Sequence, residues 1–309
     1  MEKIDVAIIG AGPAGMTAGI YAVRKGLSAR VFEKKIAGGN VVDSVLMENY
    51  PGIPSIRGFD LAQKMQAHFE GIGGKIEEGT GVKAAEKKNN FFEIELDSGE
   101  KIEAKSVIIA SGTTHKKLKA KNAEKFEGKG IHYCATCDGP LYKGKTAAVI
   151  GGGNSGVMNA LFLAEICKKV FLLEYGEALR ADNVYEAQLK KAGVEIILNA
   201  EAFEITGKEK AEGLKYRERK TGKEKELKVD GIFVYVGLDP NSAIAKPLGC
   251  KTTARGFIDT SREMKTSIDG VFAAGDITGA FAQAIVAAGQ GAIAAESAYE
   301  FVKRRKTSV

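Results

Sequence analysis

The sequence contains a Cys-x-x-Cys pair, Cys134 and Cys137, followed directly by Asp138. Two thiols separated by two residues can close a small disulfide ring, and the adjacent carboxyl group can take or give a proton at the leaving thiol. If Cys137 lies near the start of a helix, the helix dipole lowers its thiol pKa and favours the thiolate. The pattern predicts a redox-active dithiol with Asp138 as its acid/base.

Two other interpretations of the cysteine pair stay open. A structural disulfide is poorly supported, because so short a loop constrains the unfolded chain only weakly. Zinc is the stronger rival, since His132, Cys134 and Cys137 are ligands of the kind that zinc binds, but a closed structural site needs a fourth. The remaining cysteines, Cys167 and Cys250, stand alone without paired spacing. We therefore expect no metal, with zinc as the alternative.

The elements that must position these thiols come from a pattern that the chain contains twice. Each copy reads strand, G-x-G-x-x-G, helix, second strand and acid. The first copy is the strand 6–9, the loop Gly10-Ala11-Gly12-Pro13-Ala14-Gly15, a helix over 16–25 and the strand 29–32 before Glu33. The second copy is the strand 147–150, the loop Gly151-Gly152-Gly153-Asn154-Ser155-Gly156, a helix to about residue 168 and the strand 170–173 before Glu174.

Each part of this pattern has a physical role in dinucleotide binding. The glycines allow a tight turn, close approach of the backbone to a pyrophosphate and close packing of helix on strand. The helix N-terminus offers unpaired N–H groups to the phosphates, and the acid accepts hydrogen bonds from a ribose. Glu33 follows Gly15 by 18 residues, and Glu174 follows Gly156 by the same 18. The repeated spacing indicates two dinucleotide sites.

The segments between the two copies predict an α/β fold of two Rossmann-like dinucleotide-binding domains, the second inserted into the first. Buried strands are predicted over 107–110, 231–237 and 271–274, an alanine-rich helix over 283–302, and charged antiparallel hairpins over 91–102 and 204–229. Residues 1–113 and 246–309 would form the first domain. Residues 114–245 would form the second, which carries the Cys-x-x-Cys pair, and crossovers near 113–117 and 237–242 would act as hinges.

Composition argues against several other classes of function. The 309 residues are 44% hydrophobic and 27% charged, and the net charge of +6 comes without a base-reading motif. The basic cluster at 303–306 is expected to be a solvated tail, so no nucleic-acid partner is predicted. No targeting segment is recognisable, and polar residues such as Asp276 and Gln283 interrupt the apolar stretch after Val271, so no membrane span is predicted. We expect a cytoplasmic protein.

Two dinucleotide sites and a dithiol suggest an electron path in which one site holds a flavin, the other holds a hydride donor, and the dithiol reduces an external disulfide. The chain resembles the low-molecular-weight thioredoxin reductases, class II of the FAD-dependent pyridine nucleotide-disulfide oxidoreductases, over nearly its whole length. The stretches that carry the resemblance are Gly10–Gly15, Gly38–Asn40, Glu48–Gly52, Ala110–Gly112, Tyr133–Gly139, Gly151–Gly156, Ala274–Asp276 and Gln283-Ala284. The Cys-Ala-Thr-Cys-Asp-Gly stretch is highly specific to that family.

The resemblance implies a set of cofactor contacts. FAD would lie in the first domain, against Gly10, Gly12, Pro13, Ala14, Gly15, Glu33, Gly38, Gly39, Asn40, Asn49, Val82, Ala110, Gly112, Gly275, Asp276, Gln283, Ala284 and Ile285. A nicotinamide dinucleotide would lie in the second, against Gly151, Gly153, Asn154, Ser155, Gly156, Glu174 and Arg180.

The resemblance also implies roles for the dithiol and a partner. Cys137 would face the flavin, Cys134 would attack or resolve a mixed disulfide with thioredoxin or a thioredoxin-like protein, and Asp138 would be the acid/base. Members of the family form homodimers and rotate one domain against the other to alternate access to the flavin. We expect both properties in this chain.

One departure from the family bears on the electron donor. Members that use NADPH carry a His-Arg-Arg-x-x-x-Arg run after the second strand of the second copy, where this chain has Glu174-Tyr-Gly-Glu-Ala-Leu-Arg180. Glu174 would repel a 2′-phosphate and suits a free ribose 2′-hydroxyl, so NADH is expected over NADPH. The alternatives are a donor other than a nicotinamide, such as a reduced deazaflavin or a ferredoxin, and a non-enzymatic, flavin-bound redox sensor.

Overall fold

The computed structural model describes residues 2–44, 47–182 and 184–307, without the side chains of Thr136, Cys137 and residues 305–307. The strands are β1 (Glu2–Ile9), β2 (Ala29–Phe32), β3 (Ile76–Glu77), β4 (Val82–Lys87), β5 (Phe92–Leu96), β6 (Lys101–Ile109), β7 (Thr113–His115), β8 (Ile131–His132), β9 (Thr146–Ile150), β10 (Lys169–Leu173), β11 (Glu195–Ile197), β12 (Ala200–Gly207), β13 (Ala211–Glu218), β14 (Glu224–Lys228), β15 (Gly231–Val234), β16 (Leu238–Pro240) and β17 (Val271–Ala273). The α-helices are α1 (Pro13–Arg24), α2 (Gly58–Gly71), α3 (Ala135–Asp138), α4 (Asn154–Ile166), α5 (Val184–Lys191) and α6 (Ala284–Thr307). Short 3-10 helices lie at Gly39–Asp43, Glu124–Phe126, Gly139–Tyr142 and Asp276–Thr278.

The chain divides into two compact units. Unit 1 comprises residues 1–42, 46–114 and 239–309, and unit 2 comprises residues 43–45 and 115–238. The long stretch of unit 2 is therefore inserted between two parts of unit 1. Its last residue, 238, lies seven residues before the predicted boundary at 245. The assignment of one cofactor to each unit remains a prediction.

Unit 1 is built on a seven-stranded sheet. Strands β3, β2, β1 and β6 lie side by side and parallel. On its other side, β6 pairs antiparallel with β5 through its first residues and parallel with β17 through its last. Alternate residues of β1 belong to opposite cores, with Val6 and Ile8 on one face and Ala7 and Ile9 on the other. Burial of both faces explains why the central strands are apolar without alternation.

Unit 2 repeats this plan with a five-stranded parallel sheet in the order β11-β10-β9-β15-β8. Its central strand β9 also feeds two cores, through Ala148 and Ile150 on one face and Ala147 and Val149 on the other. A separate antiparallel sheet, β12-β13-β14, packs through its apolar residues into the first of these cores. The parallel sheets confirm the predicted α/β fold class.

Two connecting segments carry the chain from unit 1 into unit 2 and back. They contain β7 and β16, which pair as a two-stranded ribbon. At one end of the ribbon, the Lys116 N–H donates to the Gly237 carbonyl at 2.9 Å. At the other, the side-chain amide of Asn241 donates to the Ser111 carbonyl at 2.8 Å. The inserted unit therefore begins and ends at adjacent points, and the hinge role of the crossovers remains a prediction.

Two elements differ from their predicted extents. The last helix, α6, runs to Thr307 instead of ending near residue 302, so the basic cluster at 303–306 is helical, while Lys303 and Arg304 are exposed as predicted. Contacts one turn apart explain the extension, since Arg304 pairs with Glu300 at 3.5 Å and Lys303 lies over the Tyr299 ring at 5.5 Å. The predicted hairpin over 204–229 is a three-stranded sheet that starts at Ala200. Within the described ranges, no helix combines the length and apolarity that crossing a membrane requires.

Candidate functional site

The first glycine loop joins β1 to α1, and its glycines serve different purposes. Gly10 has φ +104°, and a Cβ there would lie 2.4 Å from the Ala110 carbonyl oxygen. A Cβ at Gly15 would lie 1.8 Å from the Gly10 carbonyl oxygen. At Gly12, by contrast, a Cβ would meet only the Gly39 Cα, at 4.0 Å. The loop is tightly packed at its two ends and open at its middle glycine, where a bound phosphate would approach the backbone.

The second glycine loop, between β9 and α4, has the same arrangement. Gly151 has φ +118°, and a Cβ there would lie 2.2 Å from the Tyr235 carbonyl oxygen. A Cβ at Gly156 would lie 1.9 Å from the Gly151 carbonyl oxygen, whereas one at Gly153 would meet nothing within 4 Å. Each unit therefore has an open cradle at the same position of its loop, which fits a dinucleotide pyrophosphate.

The acid of the first copy is held by backbone N–H groups. Glu33 accepts from Ala11 N–H at 2.9 Å through one carboxylate oxygen and from Lys35 N–H at 2.9 Å through the other. The Gly38 N–H donates to the Ala11 carbonyl at 2.8 Å, so the segment after the acid folds back onto the glycine loop. Gly38 and its neighbour Gly39 have φ +122° and +57°, which only glycine adopts readily.

The acid of the second copy is bound in the equivalent way. Glu174 accepts from Gly152 N–H at 2.6 Å and from Gly176 N–H at 2.7 Å. Its side chain is only 2% exposed, and the Arg180 guanidinium lies 3.5 Å from one carboxylate oxygen. Here too the following segment folds back, because Arg180 N–H donates to the Gly152 carbonyl at 2.8 Å. Asp182 secures that segment further by a hydrogen bond from its N–H to the Asn154 side chain at 2.9 Å.

Two predicted cofactor residues of unit 1, Asn40 and Asp276, meet at Thr113. The Asn40 side-chain amide donates to the Thr113 carbonyl at 3.2 Å and to its hydroxyl at 3.0 Å. The Thr113 hydroxyl donates to Asp276 at 3.5 Å. Burial raises the pKa of Asp276, and the hydrogen bond from Thr113 opposes that shift. A largely buried carboxyl group with one long hydrogen bond suits hydroxyl groups of a ligand as further partners.

Other predicted residues of unit 1 form a second group near the start of α6. The Asn49 amide donates to the Gln283 side-chain oxygen at 3.0 Å. The Gly275 N–H donates to the Gln290 side-chain oxygen at 2.8 Å. A Cβ at Gly275 would lie 2.9 Å from the Ala14 Cβ, so the segment before Asp276 packs directly on the first glycine loop.

The other predicted contacts take varied positions. Pro13 is the first residue of α1, Ala284 is the first of α6, and Ser155 accepts a hydrogen bond from the Asn159 amide at its carbonyl. Ile285 is 40% exposed, and Val82 begins β4, where it packs against the unit 1 core. Gly112 has φ +61° and open space at its Cβ position.

The predicted redox centre lies on α3, a single helical turn in unit 2. Cys134 is disulfide-bonded and precedes the turn, whose last residue, Asp138, donates its N–H to the Cys134 carbonyl at 3.0 Å. The Ala135 N–H donates to the Tyr235 hydroxyl at 3.0 Å. Burial raises the pKa of Tyr235, so this hydroxyl stays protonated. The side chain of Cys137 lies outside the described residues, and its role stays a prediction.

His132 has partners other than a metal. Its Nδ1 lies 3.0 Å from a carboxylate oxygen of Asp138, and its Nε2 lies 2.7 Å from the Tyr142 hydroxyl. Both ring nitrogens of His132 already face polar groups, and the sulfur of Cys134 is part of a disulfide. Neither residue is therefore available as a zinc ligand. Among the side chains that the structure describes, no cluster of three or more His, Cys, Asp or Glu residues is arranged to hold a metal.

A family model described as pyridine nucleotide-disulphide oxidoreductase matches residues 4–291. The chain belongs to this family. The crystal structure of T. acidophilum thioredoxin reductase is similar, with a TM-score of 0.94 and 43% identity over 97% of this chain and 99% of that chain. Lactococcus lactis thioredoxin reductase gives a TM-score of 0.94 and 36% identity over 97% of this chain and 99% of that chain. The resemblance to low-molecular-weight thioredoxin reductases is confirmed.

A curated relative of this oxidoreductase is longer than the chain itself. An NADH dehydrogenase of Bacillus subtilis is 37% identical over 305 residues, which make up 98% of this chain and 59% of that protein. The chain thus spans about three fifths of that relative's length.

The oxidoreductase also has site residues that its sequence patterns did not predict. Thr113 links two predicted cofactor residues, Gln290 binds the backbone of Gly275, and Tyr235 binds the backbone of α3. Thr113 follows the Ala-Ser-Gly stretch, and Tyr235 follows a buried strand. Their positions at strand ends could have indicated from the sequence that they lie near a ligand site. Nothing in the spacing of Gln290 indicates its contact. Of the other cysteines, Cys250 is buried and free, and burial raises the pKa of the free Cys167 thiol to about 11.

Proposed function

We propose that this oxidoreductase is an FAD-dependent thioredoxin-disulfide reductase that takes electrons from NADH. The observation that carries the proposal is the disulfide-bonded Cys134, one helical turn from Asp138 and built into the unit that also contains the second glycine loop. Tyr235 supports this arrangement, because its hydroxyl holds α3 while its backbone packs on Gly151. A dithiol and a dinucleotide cradle in one unit suit the transfer of electron pairs to a disulfide.

FAD fits unit 1. The open cradle at Gly12 would receive the pyrophosphate, Glu33 the adenosine ribose and Asp276 other hydroxyl groups of the cofactor. The remaining predicted contacts, from Asn40 to Ile285, would complete the site. A flavin held there would supply two-electron redox chemistry between the donor and the dithiol. The protein's contribution is to bind and orient the cofactor and to manage protons at the sulfurs.

NADH is the proposed donor because of the charge at Glu174. A 2′-phosphate beside this carboxylate would face a like charge, which at ~4 Å costs about 1 kcal/mol in water and ~4 kcal/mol at an effective dielectric constant of 20. Those energies correspond to roughly tenfold to thousandfold weaker binding of NADPH than of NADH. Arg180 lies beside the same carboxylate and partly offsets its charge, which favours the lower part of that range.

The reduced dithiol would act by thiol–disulfide exchange. The Cys134 thiolate attacks the partner's disulfide, and the first partner thiolate leaves. Asp138 takes the proton from Cys137, which then attacks Cys134 and displaces the second partner thiolate. The proton passes to that thiolate, so two electrons and one proton leave this chain as its own disulfide closes. A thioredoxin or thioredoxin-like protein is the proposed partner.

An anaerobic titration of the purified yellow protein tests the donor. Bleaching of the flavin absorbance by NADH at concentrations that leave it unchanged with NADPH supports the proposal. Bleaching by NADPH at an equal or lower concentration contradicts it. Failure of both nicotinamides to bleach a flavin that dithionite does reduce would support a deazaflavin or ferredoxin donor instead.

Substitution of the sulfurs tests the dithiol. We expect Cys134→Ser and Cys137→Ser to keep the flavin and to lose steady-state reduction of thioredoxin. Cys167→Ser is the matched control, because that thiol is free and its raised pKa keeps it protonated. Unchanged turnover in either of the first two variants removes that cysteine from the mechanism. A protein whose dithiol is reduced by the flavin but never turns over a disulfide substrate would be a redox sensor.

Cytoplasmic location and a homodimer complete the proposal. Sedimentation equilibrium of the flavin-containing protein measures the second property directly.

A further inference from the structure

His132 lies between two polar groups in unit 2, and the reaction proposed above gives it no role. Its Nδ1 atom is 3.0 Å from the Asp138 carboxylate, and its Nε2 atom is 2.7 Å from the Tyr142 hydroxyl. The imidazole is 7% exposed, whereas the Asp138 side chain is 35% exposed. Tyr142, His132 and Asp138 therefore form a chain of contacts that leads from the buried interior to the carboxyl group next to the dithiol.

The position of this imidazole is fixed by packing. His132 pairs with Phe233 across β8 and β15, and its ring centroid lies 5.4 Å from that of Phe233 and 5.4 Å from that of Tyr142. The Tyr142 ring occupies space left by Gly231, where a Cβ would lie 2.5 Å from the ring. The sequence thus makes room for the tyrosine that holds the far side of the histidine.

The partners of His132 favour one position for its proton. A carboxylate only accepts hydrogen bonds, so a neutral imidazole in contact with Asp138 carries its proton on Nδ1. Burial raises the pKa of Tyr142, and the charge of Asp138 raises it further, so the phenol stays protonated. Its O–H can therefore donate to Nε2, which leaves the proton of a neutral imidazole on Nδ1, facing Asp138. In this tautomer, the Nδ1–H group of His132 donates a hydrogen bond to the Asp138 carboxylate.

We propose that His132 is a positioning residue for Asp138, holding its carboxylate by a hydrogen bond from Nδ1 as the dithiol exchanges a proton, with Tyr142 accommodating that tautomer. The inference rests on the proposed function, in which Asp138 takes the proton of one thiol and passes it to the departing thiolate. The contact with Nδ1 holds the carboxylate before and after that transfer. It adds no reactant, and the electron balance of the exchange is unchanged.

Other charged groups lie around this chain of three residues. Lys145 lies over the Tyr142 ring, with its Nζ 5.6 Å from the ring centroid, and the charge of Asp230 acts on Tyr142 and Cys167. The charge of Asp138 also acts on Tyr235. Lys145 and Asp230 have opposite signs and lie toward the Tyr142 end, so we expect them to affect Asp138 less than His132 does.

The test follows the reactivity of the two active-site thiols against pH. The full-length protein is reduced without oxygen and treated with iodoacetamide between about pH 5 and pH 9, and mass spectrometry measures alkylation of Cys134 and Cys137 separately. Asp138→Asn removes a negative charge beside the thiols, so we expect alkylation to rise at lower pH. His132→Asn removes the hydrogen bond from Nδ1 to the carboxylate, so the carboxylate charge acts more strongly on the thiols and we expect the rise to move to higher pH. Each shift should be about 0.5 to 1 pH unit.

A double variant separates positioning from general loosening. When combined with Asp138→Asn, His132→Asn should have no further effect, because its partner has gone. Tyr142→Phe should shift the profile in the direction of His132→Asn by a smaller amount, and it carries the test if His132→Asn fails to fold. Tyr216→Phe, an equally buried tyrosine in a different core of the same unit, should leave the profile unchanged.

The outcomes distinguish the two proposals. If Asp138→Asn changes neither the alkylation profile nor disulfide turnover, the acid/base role of Asp138 is wrong. If Asp138→Asn acts as expected but His132→Asn gives the same shift with and without it, only the role of His132 is wrong. Opposite shifts in the single variants, with a double variant whose profile matches that of Asp138→Asn alone, support the inference.

Discussion

The Glu174 carboxylate is the basis of the proposed preference for NADH over NADPH. Its two oxygens are bound by the N–H groups of Gly152 and Gly176, so its charge is fixed at the edge of the second cradle. Glu33 is bound by the same positions of the first copy. The equivalence supports the proposal that each carboxylate receives a ribose and that Glu174 favours NADH over NADPH.

At this scale we predict that Glu174→Gln narrows the preference for NADH. Removing the charge should raise the ratio of kcat/KM for NADPH to that for NADH by about tenfold, because the repulsion of the 2′-phosphate disappears. Initial rates of thioredoxin reduction with each nicotinamide give this ratio. Glu177→Gln, in the same segment and 74% exposed, is the control and should leave it unchanged. An unchanged ratio in Glu174→Gln would assign the preference to another residue.

In each glycine loop the end glycines are tightly packed and the middle glycine faces open space, where the proposed cofactor would bind. We predict that Gly12→Ala keeps or slightly raises the stability of the flavin-free protein but loses most flavin binding, since the added methyl group meets open space. Gly15→Ala should instead lower the free energy of unfolding by at least about 2 kcal/mol, because its Cβ would overlap the Gly10 carbonyl. Thermal unfolding and flavin absorbance measure the two effects. Equal destabilisation by both variants would contradict the assignment.

Neighbouring strands of unit 1 are joined by an ion pair that makes stability depend on pH. Arg30 of β2 donates to Glu77 of β3 at 2.6 Å, and both side chains are largely buried. Burial alone would raise the pKa of Glu77, but the hydrogen bond and charge of Arg30 outweigh it and lower that pKa. Because the pKa is lower in the folded state, the stabilisation is present above the ordinary glutamate pKa and is lost as the pH falls through the folded value.

We therefore predict that Glu77→Gln lowers the free energy of unfolding by about 1 kcal/mol at pH 7, with the difference shrinking below about pH 4. Denaturant titrations at the two pH values measure it. Glu100→Gln is the control, since Glu100 lies 3.7 Å from Arg30 and is 51% exposed, and it should change little. A loss that persists unchanged at low pH would show that packing, and not the ion pair, is responsible.

At the scale of the whole molecule, the two units have separate cores. The clusters built on β9 contain residues of unit 2 only, and those built on β1 contain residues of unit 1 only. The paired ribbon of β7 and β16 brings the ends of the inserted unit together. A unit with its own core and adjacent ends should be able to fold alone.

We predict that residues 115–238, expressed alone, unfold cooperatively on heating. The control is residues 1–114, which keep β1 but lose β17 and α6, and with them the helix that packs on α1. We expect that fragment to be largely unfolded. Far-UV circular dichroism and amide chemical-shift dispersion distinguish the two fragments. An unfolded 115–238 fragment would mean that the inserted unit depends on contacts outside its own cores.

The repeated strand–glycine–helix–strand–acid units and their order along the chain could be predicted from sequence patterns alone. These patterns are local, because a glycine loop or a buried strand depends on residues close together in the chain. The α/β class followed from them, and so did β1, β2, β9 and β10, with their acids at the expected ends.

The contacts between side chains that lie far apart in the chain could not be predicted in this way, because they depend on the folded structure. Asn40, Thr113 and Asp276 form one group although they lie on three separate segments, and Tyr235 caps a helical turn about a hundred residues earlier. Residues in such contacts show no regular spacing in the sequence, because the order of the strands in the sheet brings them together. His132 is an example. Its spacing from the two cysteines was compatible with zinc binding, but in the fold β8 pairs with β15 and the His132 ring lies between the Asp138 carboxylate and the Tyr142 hydroxyl.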